Sequence, residues 1–157
     1  MAGKAGETLT RLRRPLRPFK LCNDSFFNTQ TQGVSMSILK ILICDDSITD
    51  LAHLKNALQH SDCILVTANN GDEALKKAKA EKPDVIFMDI VMPGMDGYAA
   101  CRALRNDAET KDIPIFFVSS KNQKADRVWA QMQGAKDLIA KPYEPKEITE
   151  KLAALSI

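Results

Sequence analysis

The chain has 157 residues, of which 45% are hydrophobic and 27% charged, as is typical of one globular domain with its own core. Its apolar runs fall short of the roughly 20 residues that a membrane helix needs, so we expect no membrane insertion. The net charge of +2 is uneven: residues 1–35 carry six basic and two acidic side chains, and the mildly acidic remainder argues against binding to nucleic acid.

Residues 1–35 differ in character from the rest of the chain. The stretch "RLRRPLRPFK" alternates arginine with apolar residues and contains two prolines, which exclude a continuous helix. The following "NDSFFNTQTQGVS" is polar, and no segment resembles the apolar part of a secretory signal. We predict that residues 1–35 are a disordered basic arm, a cloning remnant or an extension from an upstream start site, and that residues 36–157 form the domain. A tether for an acidic partner is the alternative interpretation of the arm.

From Ile38 onwards, five short apolar segments alternate with five amphipathic segments. The apolar segments, in chain order, are "ILKILIC", "CILVTA", "DVIFMD", "IPIFFVSS" and "DLIAK". Ser47 is a good N-cap for the first amphipathic segment, and Pro145 lies near the first turn of the last one. Strands that are apolar on both sides and alternate with helices predict a doubly wound α/β fold, with a parallel sheet covered by helices on both faces.

Polar side chains follow four of the five predicted strands. They are Asp45 and Asp46 after the first, Asp89 after the third, Ser119 and Ser120 at the end of the fourth, and Lys141 after the fifth. In doubly wound folds, ligands bind at the carboxyl ends of the strands, so these side chains should converge. Three clustered carboxylates favour Mg²⁺, or Mn²⁺, as hard cations. A cation, a hydroxyl and a lysine together can hold a phosphoryl group, which Asp89 can accept.

Four motifs carry a resemblance to a known family. "ILICDDS", "DVIFMDIVMPGMDG", "IPIFFVSS" and "LIAKPY" resemble the receiver domain of two-component response regulators, the CheY-like family, over the whole of residues 36–157. The resemblance implies a flavodoxin-like sheet with strand order 2-1-3-4-5. It also implies a phosphorylation switch rather than a metabolic enzyme.

The resemblance assigns a role to each strand-end residue. Asp89 would accept a phosphoryl group, Ser119 would be the switch hydroxyl, and Lys141 would contact the phosphoryl group. The implied Mg²⁺ ligands are Asp45, Asp46, Asp89 and the backbone carbonyl of Val91. Pro142, which follows the lysine, would form the cis peptide bond that the family often has there.

The longer run "DAETKDIPIFFVSSKNQKADRVWAQMQGAKDLIAKP" resembles single-domain regulators of type IV pilus twitching motility, the PilH kind. The implied partners are a histidine kinase or phosphotransfer domain, and a downstream protein that binds the face formed by the fourth helix, fifth strand and fifth helix. The implied location is the bacterial cytoplasm. Two departures bear on output: Leu138 stands where chemotaxis regulators carry an aromatic switch residue, and Ser120 stands where a small alanine is common.

Other interpretations stay open at this stage. The chain could be a phosphate sink, or a stand-alone receiver in another phosphorelay. A haloacid-dehalogenase-type phosphatase also uses a strand-end aspartate, but it needs a second acid two residues later, where this chain has Val91. We expect Trp129 to anchor the core rather than lie in a partner face. We also expect Cys44, Cys63 and Cys101 to be buried, reduced thiols.

The composition of residues 1–35 predicts that they contribute little to folding, because they lack helical or strand periodicity and helix caps. A chain that begins at Met36 should keep its melting temperature within about 2 °C and its rate of phosphorylation. Differential scanning calorimetry and phosphate incorporation would measure both. A substantial fall in either would mean that the arm packs on the domain.

Overall fold

The computed structural model describes residues 39–155. Its five strands are β1 (Leu39–Cys44), β2 (Cys63–Ala68), β3 (Val85–Met88), β4 (Ile115–Ser119) and β5 (Asp137–Ala140). Its five helices are α1 (Ile48–Leu58), α2 (Gly71–Glu81), α3 (Gly97–Asn106), α4 (Lys124–Met132) and α5 (Pro145–Ala154). Strands and helices alternate strictly, as the sequence predicts. The predicted arm, residues 1–35, lies outside the described residues.

Local sequence signals explain where the helices begin and end. The side chains of Ser47, Asn70 and Asp96 accept hydrogen bonds from backbone amides in the first turns of α1, α2 and α3. Pro145 occupies the first turn of α5, where its missing amide hydrogen costs nothing. Lys82 caps the C-terminus of α2, and its left-handed backbone (φ of 47°) precedes Pro83 and turns the chain towards β3.

The strands form one parallel sheet in the order β2-β1-β3-β4-β5. This arrangement confirms the predicted doubly wound, flavodoxin-like fold and its strand order. The order places β1 and β3 side by side in the middle of the sheet, with β4 and β5 to one side. The strand ends that carry the predicted site are therefore neighbours.

Each face of the sheet has its own apolar core. On one face, Leu42, Met88 and Phe117 pack beneath α2, α3 and α4. On the other, Ile43 and Phe87 pack beneath α1 and α5. Alternate residues of each strand point to opposite faces, so both faces must be apolar if both are to be buried. The continuous apolar runs in the sequence follow from this requirement.

The prediction that Trp129 anchors the core is wrong. Its side chain is 47% exposed on α4, where its ring meets the edge of Tyr98. Ala130 is the buried residue of α4, so the side of the helix that carries Trp129 does not face the core. The cysteine prediction holds for Cys44 and Cys101, which are buried free thiols, whereas the free thiol Cys63 is only half-buried. Within residues 39–155, no helix has the length and apolar character needed to cross a membrane.

Candidate functional site

The strand-end side chains singled out in the sequence meet at one edge of the sheet. Asp45 follows β1 directly, Asp89 follows β3, Ser119 ends β4, and Lys141 follows β5. Register explains the convergence: Cys44 pairs with Met88, and Ser119 pairs with Ala140, so the strands end level with one another. The peptide bond between Lys141 and Pro142 is cis, as the resemblance implies.

Three carboxylates form the acidic part of the site. One oxygen atom from each of Asp45, Asp46 and Asp89 lies within 4.8 Å of the other two. Asp45 is 1% exposed and Asp89 8% exposed, whereas Asp46 faces solvent. The cluster is thus buried on one side and open on the other. Val91, whose carbonyl the resemblance adds to this set, lies in the loop after β3 with its side chain exposed.

Within residues 39–155, a single ammonium group, that of Lys141, lies among these acids. The Nζ atom of Lys141 donates a hydrogen bond to Asp45 at 2.6 Å and another to Asp50 at 3.0 Å. The nearest oxygen of Asp89 is 3.7 Å away, which is an ion-pair distance but too long for a hydrogen bond. One positive charge therefore faces four carboxylates, those of Asp45, Asp46, Asp50 and Asp89, and the site keeps an excess of negative charge.

Burial and charge shift the pKa values of the central groups. Burial raises the pKa of Asp89, and the positive charge of Lys141 offsets only part of this rise. For Lys141, burial lowers the pKa, but the hydrogen bonds to Asp45 and Asp50 and the charge of Asp89 outweigh burial, so the net shift is upward. The lysine is therefore held in its charged form.

The backbone around Asp89 is fixed from both sides. Its amide donates to the carbonyl of Cys44 at 2.9 Å, and its carboxylate accepts a hydrogen bond from the amide of Ile90 at 2.7 Å. The first residue of α3 also packs directly on it: a Cβ atom at Gly97 would lie 2.2 Å from the Asp89 carbonyl oxygen. Only glycine permits this approach, so Gly97 holds the loop after β3 in position.

Ser119 joins the site to the loop before α4. Its side chain is fully buried, and its hydroxyl oxygen accepts a hydrogen bond from the amide of Lys121 at 3.3 Å. Its carbonyl accepts a hydrogen bond from the amide of Lys141 at 2.9 Å. Ser120, the neighbouring hydroxyl, is exposed. Movement of the Ser119 side chain would therefore act on the backbone of the β4–α4 loop.

Sequence reasoning missed two residues near the site. Asp50, in the first turn of α1, contacts Lys141. The sequence places this helix start at the sheet edge, but it does not give the direction of the Asp50 side chain. The Tyr143 hydroxyl is buried with no hydrogen-bond partner among the described residues, and the Tyr143 ring stacks on His53 at 5.0 Å. Burial raises the pKa of Tyr143 to about 12.

The donor set fits a hard divalent cation. Carboxylate oxygens are the ligands that Mg²⁺ prefers, and within residues 39–155 neither a histidine nor a cysteine belongs to the cluster. The excess of negative charge left by the single lysine also favours a bound cation.

Comparison with known proteins identifies the family. Residues 41–153 match the family described as the response regulator receiver domain. The chain belongs to this family. Receiver domains are signalling switches that kinases phosphorylate, and they typically bind Mg²⁺ at an acidic pocket. The predicted resemblance is confirmed.

Two bacterial relatives match this receiver domain over most of their length. Protein PilH of Pseudomonas aeruginosa is 41% identical over 116 residues, which span 74% of this chain and 96% of that protein. Protein PilG of the same organism is 32% identical over 116 residues, 74% of this chain and 86% of that protein. By contrast, the match to the Bacillus subtilis alkaline phosphatase synthesis transcriptional regulatory protein PhoP, 36% identical over 74% of this chain, spans only 48% of that protein.

Solved structures agree with the family assignment. The chemotaxis response regulator CheY4 of Vibrio cholerae has a TM-score of 0.71 and 29% identity, over 76% of this chain and 99% of that one. A response regulator described as putative, from Chloroflexus aurantiacus, has a TM-score of 0.73 and 29% identity, over 76% and 98% of the two chains. The relatives and structures together support chemotaxis-like or pilus-type signalling.

Proposed function

We propose that Asp89 accepts a phosphoryl group from a histidine kinase or phosphotransfer domain, and that this switches a protein-binding face. The observation that carries the proposal is the meeting of Asp89 with Lys141 and Ser119 beside two further carboxylates. Asp89 lies at the boundary between the buried strand and the open acidic rim, where a donor can reach it. A merely structural acid at a strand end would not need a lysine, a buried hydroxyl and two other acids around it.

The proposed transfer uses the carboxylate of Asp89 as the nucleophile. An Asp89 oxygen forms a bond to phosphorus while the bond between phosphorus and the donor imidazole nitrogen breaks, and the leaving imidazole keeps the electron pair and takes up a proton. Lys141 is positioned to balance the charge of the phosphoryl oxygens, and the Ser119 hydroxyl to donate a hydrogen bond to one of them. Hydrolysis of the resulting acyl phosphate would reset the switch.

We propose that Asp45, Asp46 and Asp89, with the backbone carbonyl of Val91, bind Mg²⁺, or Mn²⁺ in its place. When bound, the ion would neutralise charge on the carboxylates and on the phosphoryl oxygens. The support is the close approach of the three carboxylates. Lys141 already satisfies Asp45, whereas Asp46 has no hydrogen bond or ion pair to its side chain among the described residues, so Asp46 is the acid most available to a cation.

We propose that output leaves through the face formed by α4, β5 and α5. Helix α4 exposes Val128 and Met132, and also Trp129, whose ring lies against Tyr98 on the α3 side of the helix; it buries only Ala130. A loosely packed helix can shift at low cost, and exposed aromatic and methionine side chains suit a protein partner. Arg127 links the helix to the strand by donating to the carbonyl of Leu138 at 3.0 Å.

The relatives suggest the cellular process and the place. We propose that the protein acts in the bacterial cytoplasm in type IV pilus twitching motility or a chemotaxis-like pathway, because PilH and PilG are among its relatives. We further propose that residues 36–157 form the receiver domain and that residues 1–35 are an extension of it. The family match to residues 41–153 supports these bounds.

Replacing the acceptor should abolish phosphorylation. Incubation with Mg²⁺ and acetyl phosphate should add one phosphate, labile to base and hydroxylamine, and Asp89→Asn should reduce incorporation at least a hundredfold because an amide is not a nucleophile. Intact-protein mass spectrometry would measure this. The matched control is Asp84→Asn at the opposite end of β3, where the Asp84 side chain accepts a hydrogen bond from the amide of Lys40 at 2.8 Å. Unchanged incorporation in Asp89→Asn would refute the assignment.

Removing Asp46 should weaken Mg²⁺ binding without destabilising the metal-free protein. The substitution Asp46→Ala removes one ligand and relieves repulsion in the cluster, so we expect at least a tenfold weaker affinity and a free energy of unfolding in chelator that is unchanged or higher. In contrast, Asp45→Ala should cost about 2 kcal/mol or more, because it breaks the buried contact with Lys141. Isothermal titration and urea unfolding would measure these effects, and a loss of several kcal/mol in Asp46→Ala would contradict the repulsion argument.

The switch should travel through the β4–α4 loop rather than through Leu138. Because the Lys121 amide is bonded to the Ser119 hydroxyl, drawing that hydroxyl towards a phosphoryl group should move the loop, whereas Leu138 is packed in the core. NMR with and without beryllofluoride should show large amide shifts from Ser119 to Gln123 and no change in Leu138 methyl rotamer. Asp89→Asn is the control. A change of Leu138 rotamer between the two states would contradict the prediction that the β4–α4 loop carries the switch.

A further inference from the structure

Asp50 makes a contact that the strand-end constellation does not include. It lies in the first turn of α1, with its side chain 39% exposed, and accepts a hydrogen bond from the Nζ atom of Lys141 at 3.0 Å. Helix α1 lies on the face of the sheet opposite to α4, so this contact draws the lysine towards the side of the site away from α4.

An acid in the first turn of a helix usually serves its own helix. In a capping box, the side chain three residues after the N-cap accepts a hydrogen bond from the N-cap amide. Asp126 of α4 and Glu147 of α5 do this, at 3.0 Å and 3.3 Å. In α1 the Ser47 amide instead donates to Asp45 at 2.9 Å. The Asp50 carboxylate therefore does not accept the N-cap hydrogen bond of α1, and it accepts one from Lys141 instead.

The geometry around Lys141 shows what Asp50 does to it. An ammonium group has three N–H donors. Two of them are used by Asp45 at 2.6 Å and Asp50 at 3.0 Å, while the Asp89 oxygen stays 3.7 Å away. One N–H donor remains, but the contacts with Asp45 and Asp50 hold the nitrogen 3.7 Å from Asp89, so Asp50 competes for the position of the lysine with whatever occupies the Asp89 side of the site.

We propose that Asp50 is a positioning residue: it holds the Lys141 ammonium group on the α1 side of the site while Asp89 is unmodified, and releases it when Asp89 carries a phosphoryl group. This inference rests on the proposed role of Asp89. Because the contact between Asp50 and Lys141 exists only in the unmodified state, it favours that state, and breaking it opposes phosphoryl binding. Asp50 therefore lowers the affinity of the site for a phosphoryl group and favours the resting form of the switch.

The test compares two acids that each lie in the first turn of a helix, Asp50 three residues after its N-cap and Asp72 two residues after its own. Asp72 lies in the first turn of α2 at the same sheet edge, so Asp50→Ala and Asp72→Ala each remove one charge and one favourable interaction with a helix dipole. With beryllofluoride as the phosphoryl mimic at fixed Mg²⁺, an NMR titration should show binding to Asp50→Ala about two- to fivefold tighter than to Asp72→Ala, the range expected for a partly exposed ion pair. Affinity equal to or weaker than that of Asp72→Ala would overturn the proposal.

A second comparison separates the lysine contact from general charge effects. In a Lys141→Met background, Asp50→Ala should no longer tighten beryllofluoride binding, because the competing contact is already gone. If the same gain persists, Asp50 acts through its charge alone and the proposal is wrong. Should Lys141→Met fail to fold, the crystal structure of Asp50→Ala decides: the Nζ atom should move from 3.7 Å to hydrogen-bond distance from Asp89, and an unmoved lysine would refute the idea.

The outcomes also distinguish this inference from the proposed function. If Asp89 is not the acceptor, wild type and Asp89→Asn will respond alike to beryllofluoride. If Asp89 is the acceptor but Asp50 does not position the lysine, wild type will bind the mimic, Asp89→Asn will not, and Asp50→Ala will match Asp72→Ala.

Discussion

The contact between Lys141 and Asp45 is the interaction on which the site depends. Three acids at the ends of two adjacent strands repel one another, and a folded protein must offset that repulsion. Here the lysine reaches from the end of β5 to the end of β1, across the ends of two intervening strands, and places its charge between Asp45 and Asp89. One ammonium group lowers the repulsion enough for the fold without neutralising the site. The remaining negative charge favours a bound cation, which would also reduce the repulsion of an anionic phosphoryl group.

The same contact would also let the proposed site respond to a new charge at Asp89. A lysine shared among several carboxylates has alternative partners at similar distances, so a new charge at Asp89 can redistribute its hydrogen bonds without unfolding anything around it. The neighbouring hydroxyl of Ser119 is bonded to the amide that begins the β4–α4 loop. A change in charge at Asp89 can therefore act through the Ser119 hydroxyl on the backbone of the β4–α4 loop, which is less buried than β3 and β4.

Burial differs sharply along that route. Strands β3 and β4, which include Ser119, are fully buried, and so is Leu138. Helix α4, by contrast, leaves Trp129 and Met132 exposed and buries only Ala130. Packing of this kind holds the site residues at the sheet edge in place and lets the surface helix α4 move at lower cost. Leu138, an aliphatic core residue, occupies the position where chemotaxis regulators have an aromatic switch residue. The proposed switch would therefore depend on the β4–α4 loop and on α4.

Most of the fold and the principal site residues are determined by the sequence itself. The apolar runs define five parallel strands, and Asp45, Asp89, Ser119 and Lys141 each stand at or just beyond a strand end, where parallel strands must bring them to one edge. The tertiary structure alone decided two matters: Asp50 reaches Lys141, and Trp129 lies exposed. Both residues are on helices, and which way a helical side chain points depends on how the helix is rotated against the sheet. That rotation is set by the summed packing of the whole apolar face, which no single residue or local spacing encodes.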